Sequence, residues 1–332
     1  MEMRIYEKNK NDDIRIENRF NMLHNQSIDA YADRQNSFRT EANYKQGMDA
    51  FCHYLAENTS VCKLENGFKP RNIIGFVNNM KDKGLSASTQ KTYMAAIRNY
   101  ADRTGIDQRN IPNNKRLQLD RRTGQNVDRN WTDREFQDYK KLAEQYDEKN
   151  DNGGKMGLIL DIGREFGCRI EGVLGLDIKA IENALDNGEL KTKEKNGKIN
   201  INPVISDRQR DLLNKIKKYA EEKGNRKIFV DSNFKTTLNE VENFIKGERL
   251  NIQDTDRLKT IDARNNANKL GIVQKGNLTY HGLRHTYARD RYKECLEKGM
   301  SQEQALKYVS RILGHNRPEI TKTYLAQAGM EI

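Results

Sequence analysis

Cysteine, proline and tryptophan are all scarce in this chain of 332 residues, which holds four, four and one of them. The cysteines, Cys52, Cys62, Cys168 and Cys295, form no CxxC pair and have no cluster of histidines beside them. A zinc module and a disulfide framework are therefore excluded, and neither a metal nor any other cofactor is expected. Long apolar runs are missing too. The longest, Met156 to Ile162, is interrupted by Gly157 and Asp161, and a bilayer span needs ~20 apolar residues. Residues 1–11 are charged with no apolar core behind them, so a secretory leader is not expected and a reduced, cytoplasmic setting is. Apolar residues make up only 35% and charged residues 32%, against ~45–50% and ~25% in ordinary domains. The length suits two domains with modest cores and an ionic surface.

Fifty-nine Lys and Arg stand against 48 Asp and Glu, a net charge of +11. The excess is localised. Residues 51–100 and 103–129 each carry seven basic and three acidic side chains, residues 251–332 carry fourteen and nine, and residues 1–50 are slightly acidic. Such patches fit a DNA-facing surface better than a uniformly solubilising coat, with a merely solvated surface as the alternative.

Residues 1–35 are polar with no sustained apolar period, which predicts a loose or partly helical extension. Tyr44, Met48, Phe51 and Leu55 then recur at helical spacing, Ile73 to Met80 repeat it after Pro70, and Tyr93, Ala96, Ile97 and Tyr100 line a third helix capped by Ser86 or Ser88. Residues 36–106 read as a small helical domain. In 107–130 the apolar pattern lapses while arginines accumulate, predicting an exposed basic linker. A second domain, 131–332, opens at the capping box Thr132-Asp-Arg-Glu135, with Trp131 as its packing anchor. Met156 to Phe166 reads as a buried helix ending near Gly167. Asn196-Gly197 between Glu189–Lys193 and Lys198–Asn202 signals a β-hairpin. Further capping boxes at Ser206, Thr237 and Ser301 announce three helices, and Lys227–Val230 reads as a short strand. The fold class is mainly α with a small β-sheet.

Three of the five histidines, His281, His285 and His315, lie near the C-terminal end. His281 and Arg284 are three apart, so a helix carrying them presents both on one face, where they can meet a single phosphate. Leu313-Gly314-His315 follows, and Tyr324 stands nine residues beyond that histidine. Upstream, Gly167-Cys168-Arg169-Ile170 follows the buried helix.

This ordered set resembles the tyrosine recombinases of the phage integrase family, whose signature is H-x-x-R, then L-G-H, then eight residues and a tyrosine, with an earlier G-x-R-I-x-E. The likeness spans roughly residues 36–327. One departure is Gly172 where the family has an acidic residue; Glu171 sits one place early. The resemblance implies a helical core-binding domain followed by an α+β catalytic domain. It also implies a site of Arg169, His281, Arg284, His315 and the nucleophile Tyr324, with a general-acid lysine on the hairpin. Lys191, Lys193, Lys195 and Lys198 are candidates for that lysine; Lys195, eight residues before Pro203, fits the family spacing best, and Lys193 is second. In these roles two guanidiniums clamp the phosphoryl oxygens, a neutral His281 takes the proton of Tyr324 and His315 donates to a phosphoryl oxygen. His285 is expected to be structural, because a helix turns it ~100° from Arg284, and Tyr280, Tyr287 and Tyr292 are expected in the core or groove.

Double-stranded DNA is the implied partner, contacted by Lys91, Arg98, Lys115, Arg116, Arg121 and Arg122. Four protomers would assemble on two duplexes, with accessory DNA-bending proteins among the further partners and a nucleoid-associated location when bound. The alternatives are a type IB topoisomerase, which shares the site residues, and a catalytically silent DNA-binding regulator of the same fold.

Overall fold

The computed structural model describes residues 10–31, 35–36, 38–120, 127–193, 197–257, 274–315 and 318–325. The chain divides into two compact units, Met1–Thr123 and Gly124–Ile332.

The first unit contains α1 (Lys10–Asp29), α2 (Phe38–Asn58), α3 (Pro70–Asp82) and α4 (Ala87–Thr104). Pro70 occupies the first turn of α3, where its missing N–H costs nothing. The Ser86 hydroxyl caps α4 by accepting from Thr89 N–H, and Gly105, at φ +73°, ends it in a left-handed conformation. Helix α2 packs against the other three, and Met48, Phe51, Phe76, Met94 and Ile97 fill the core between them.

Where a loose or partly helical extension was expected, α1 is a continuous helix with Leu23 fully buried. Its Arg19 donates to the carbonyls of Ala56 and Thr59 at the end of α2. The segment after α4 is likewise held: Ile111 and Leu117 are buried in the same core, and Lys81 donates to the Leu117 carbonyl. Sparse apolar residues hid both attachments, since one or two buried side chains per segment make no period.

The second unit runs β1 (Val127–Asp128), α5 (Asp133–Lys149), α6 (Lys155–Phe166), α7 (Ile170–Leu174), α8 (Ile178–Asn187), β2 (Glu189–Lys193), β3 (Ile199–Pro203), α9 (Asp207–Lys223), α10 (Phe234–Ile252), β4 (Gln274–Lys275), α11 (Tyr280–Glu297), α12 (Gln302–Ile312) and α13 (Pro318–Leu325). Capping boxes open α5 and α12 at Thr132 and Ser301. Trp131 is fully buried, its indole N–H donating to the Thr279 carbonyl and its backbone N–H to Thr286 Oγ1. It thereby ties the unit's first residues to α11.

Two local expectations are corrected. Lys227–Val230 is a turn: Ile228 and Phe229 are adjacent and both fully buried, which an alternating strand cannot do. Helix α10 begins earlier than the Thr237 capping box implied, because the Asn233 side chain accepts from Thr236 N–H and caps it there.

Strands β2 and β3 pair antiparallel, with Leu190 opposite Asn202 and Thr192 opposite Asn200. Strand β2 turns Leu190 inward, but β3 is inverted relative to an ordinary half-buried strand. Thr192, Asn200 and Asn202 face inward, while Ile199 and Ile201 are 62% and 45% exposed. A second, parallel bridge joins β1 to β4. Beside it lies a fully buried ion pair: Arg257 binds both carboxylate oxygens of Glu135 and donates to the carbonyls of Gly276 and Asn130. Burial pushes the Glu135 carboxyl up, but the guanidinium and the N–H groups of Asp254 and Thr132 outweigh it and hold the group below its usual range.

Candidate active site

Helix α6 ends at Gly167, whose φ of +60° reverses the chain. A β-carbon there would collide with the Tyr287 ring, so both conformation and space call for glycine. The turn buries Cys168 completely and makes Arg169 the residue that starts α7. Arg169 is half-buried, and burial together with the neighbouring Arg284 lowers its pKa. The charge of the Glu171 carboxylate, one place early, acts on Arg169 in the opposite sense.

Arg284 projects from the second turn of α11 and is 1% exposed. Its Nη1 donates to the Gly167 carbonyl at 2.7 Å, and its Nη2 donates to the Leu313 carbonyl. One guanidinium therefore joins the turn before Arg169 to the turn before His315. The N-terminus of α11 is seated closely: a β-carbon at Gly282 would strike the Arg129 carbonyl and the Trp131 ring.

Tyr324 lies in α13, 6% exposed. His315 Nε2 is 3.1 Å from its hydroxyl oxygen and 3.5 Å from Arg284 Nη2. A guanidinium has no acceptor, so the nitrogen facing it presents its lone pair, and the tyrosine hydroxyl then donates to the same atom. His281, on the exposed side of α11, has its ring centroid 6.0 Å from that of Tyr324. The imidazole at the hydroxyl is thus His315, where the sequence pointed to His281.

His285 lies against the same tyrosine ring. It is buried, and its ring packs on Tyr324 at 4.3 Å between centroids and against His281 at 5.1 Å. The signal was present in the spacing, because residues 281 and 285 are four apart and share a helix face.

All three histidines are held neutral. Burial, then Arg284, Arg169 and Lys198, lower the His315 pKa to about 3. The protein around the ring, then Arg284, Arg129 and Arg169, lower that of His281 to about 4. Burial keeps His285 well below the ordinary range. Unfolded histidine titrates near 6.5, so the unfolded chain takes up protons that the folded site refuses, and stability falls as pH drops from about 6.5 toward 4. Asp147 and Glu165, whose carboxyls burial raises, pull the opposite way at acid pH. The histidine part is therefore read by difference: His285→Phe, which keeps a ring on Tyr324, should lose less of its urea midpoint than wild type between pH 6.5 and 4.5. Equal losses would contradict it.

The hairpin reaches the same place. Lys198 Nζ donates to the Gly314 carbonyl. Gly314 has φ +66°, and a β-carbon on it would collide with the Asn200 amide. Asn202 donates to Cys168 Sγ at 3.4 Å. Lys191 and Lys193 are exposed on β2, and Lys195 lies outside the described residues. Tyr280, Tyr287 and Tyr292 are buried core residues.

In the first unit, Lys91 is half-buried on α4, while Lys115 and Arg116 are exposed in the turn after it. Arg98 spends its guanidinium on the Pro112 carbonyl and Asn114 Oδ1, both at 3.0 Å, so it holds the chain that displays Lys115 and Arg116. Arg121 and Arg122 lie outside the described residues.

Residues 134–330 match the sequence pattern of the Phage integrase family over more than half of the chain. The chain belongs to the phage integrase family. Residues 28–102 match the N-terminal SAM-like domain of phage integrases. Among solved structures, a lambda integrase dimer bound to a COC′ core site is similar at a TM-score of 0.58 and 17% identity, covering 98% of this chain and 84% of that one. XerH site-specific recombinase bound to a palindromic difH substrate, a post-cleavage complex, gives 0.58 and 18%, covering 96% and 85%. The Tn1549 transposon integrase in complex with transposon right-end DNA gives 0.51 and 13%, covering 92% and 94%. At identities this low, the structural likeness shows a shared fold. No curated protein matches the chain by sequence. Among the described residues of this integrase-family chain, no helix is long and apolar enough to cross a membrane and no group of side chains could hold a metal ion.

Proposed function

We propose that this integrase-family protein is a site-specific DNA recombinase that cuts and rejoins DNA strands through a covalent 3′-phosphotyrosyl link to Tyr324. The observation that carries it is the convergence of Tyr324, His315 and Arg284 within hydrogen-bond reach, beside Arg169 and His281. A scissile phosphate entering between the two arginines would meet planar donors for its non-bridging oxygens. Tyr324 attacks phosphorus, the P–O5′ bond breaks, and the 5′ hydroxyl departs. The 3.1 Å contact supports His315 as acceptor of the tyrosine proton, leaving His281 to donate to a phosphoryl oxygen. Lys195 protonates the leaving oxygen. The phosphotyrosyl bond conserves the energy of the phosphodiester, so a second strand's 5′ hydroxyl can reverse the step without ATP, and the guanidiniums supply the charge stabilisation otherwise given by a metal.

The SAM-like match over 28–102 favours a recombinase over a type IB topoisomerase, and a complete set of nucleophile, arginines and histidines argues against a silent regulator. The proposal extends to four protomers on two duplexes, accessory DNA-bending proteins, DNA contacts from Lys91, Lys115, Arg116, Arg121 and Arg122 with Arg98 in support, residence on cytoplasmic DNA, and service to a mobile element.

A nicked suicide duplex, which loses its leaving strand on cleavage, tests the chemistry. Wild type should give a DNA complex that survives SDS, and Tyr324→Phe should give none. A complex from Tyr324→Phe would refute the nucleophile, and sequence-independent relaxation of supercoils would favour the topoisomerase.

A further inference from the structure

We infer that Lys198 is a positioning residue for the reaction, a strut from the β-hairpin that sets where His315 stands beside Tyr324. The inference deepens the function proposed above and rests on His315 as the group that takes the tyrosine proton.

Three contacts fix the short turn before His315. The Leu313 carbonyl accepts from Arg284, the His315 N–H donates to the Ser310 carbonyl at 3.0 Å, and the Gly314 carbonyl accepts from Lys198 Nζ. The last two act on opposite sides of one peptide, Gly314–His315. A planar peptide held at its carbonyl and at its N–H has little rotation left, so the direction in which His315 leaves the backbone is determined. Asn200, on β3 two residues beyond Lys198, presses on Gly314. It is 1% exposed, and both its amide atoms lack a hydrogen-bond partner among the described residues. The inward amide at this position of β3 is thereby explained: it fits against a glycine in a left-handed turn, whereas an inward isoleucine there would force the turn away. Lys198 itself is exposed, so its ammonium reaches the carbonyl without the desolvation that a buried cation pays.

The consequence is a mechanical link from the hairpin to the nucleophile's partner. Its loss should appear in the chemical step rather than in DNA affinity, because misplacing a reacting group by about 1 Å costs up to about 10²-fold in rate. In single-turnover cleavage of the suicide duplex at saturating DNA, Lys198→Met should form adduct about 10–100-fold more slowly than wild type. Its DNA dissociation constant should stay within about twofold, and its thermal midpoint should be unchanged, as for an exposed substitution. Lys198→Arg, which still donates to a carbonyl, should recover most of the rate. A 5′-bridging phosphorothiolate substrate, whose sulfur leaves without protonation, should not rescue Lys198→Met.

Four results would overturn the inference. These are a full rate for Lys198→Met at saturating DNA, weakened affinity alone with a salt dependence reduced by about one phosphate contact, failure of Lys198→Arg to recover the rate, and rescue by the sulfur leaving group, which would make Lys198 the proton donor. Absence of any adduct from wild type would instead refute the function on which it rests.

Discussion

Arg284→Lys should cleave its DNA site about 10²–10³-fold more slowly than wild type, the range seen when one preorganised donor to a transition-state oxygen is removed. The guanidinium reaches two backbone carbonyls, at Gly167 and Leu313, and the imidazole of His315. A lysine offers a point charge on a flexible stem and cannot hold that fork. Both turns should loosen at once, the one that places Arg169 and the one that places His315. Buried hydrogen bonds from a charged donor are worth about 1.5–3 kcal/mol each, so the variant should also melt earlier. Single-turnover rates at saturating DNA separate the catalytic loss from any change in affinity. A rate within threefold of wild type would show that the fork is dispensable.

The second large effect is on stability. Glu135→Ala should destabilise the second unit by about 3–5 kcal/mol, because it strands the Arg257 guanidinium, whose side chain is fully buried, without its counter-charge. For a unit of this size that is roughly a 6–20 °C fall in midpoint. Arg257→Ala should behave alike for the reciprocal reason, leaving a buried carboxylate unpaired. The double variant Glu135→Leu with Arg257→Met should recover much of the loss, since replacing both partners of a buried pair by apolar groups is often close to neutral. Thermal melts of the double variant and of its two component single variants, Glu135→Leu and Arg257→Met, form a cycle. Additive losses would show that the two groups act independently and contradict the pairing.

Much of the candidate site was legible through the resemblance to the phage integrase family, whose motifs are short and ordered along the chain. The spacing of His281 and Arg284 on one helix face, the Leu313-Gly314-His315 turn and the distance on to Tyr324 needed no knowledge of tertiary structure. The capping boxes at Thr132 and Ser301 marked helix starts for the same reason, as each cap is completed within four residues. What escaped depends on contacts between distant segments. Glu135 and Arg257 are 122 residues apart, and Glu135 alone reads as a cap. Lys198 was one of four candidate hairpin lysines, ranked behind Lys195 and Lys193, until β3 was placed against Gly314. His285 was judged only against Arg284, its neighbour in sequence, whereas its packing partner Tyr324 arrives from another helix. The turn at Lys227–Val230 was misjudged because a short apolar pair has no period with which to tell a strand from a plug.

The central claim is that Tyr324 carries the DNA by its 3′ phosphate. The most direct measurement digests the trapped suicide complex with nuclease and protease and locates the modified residue by mass spectrometry. The account predicts a single peptide, containing Tyr324, bearing a nucleotide through its 3′ phosphate. Attachment to any other residue, or through a 5′ phosphate, would contradict it.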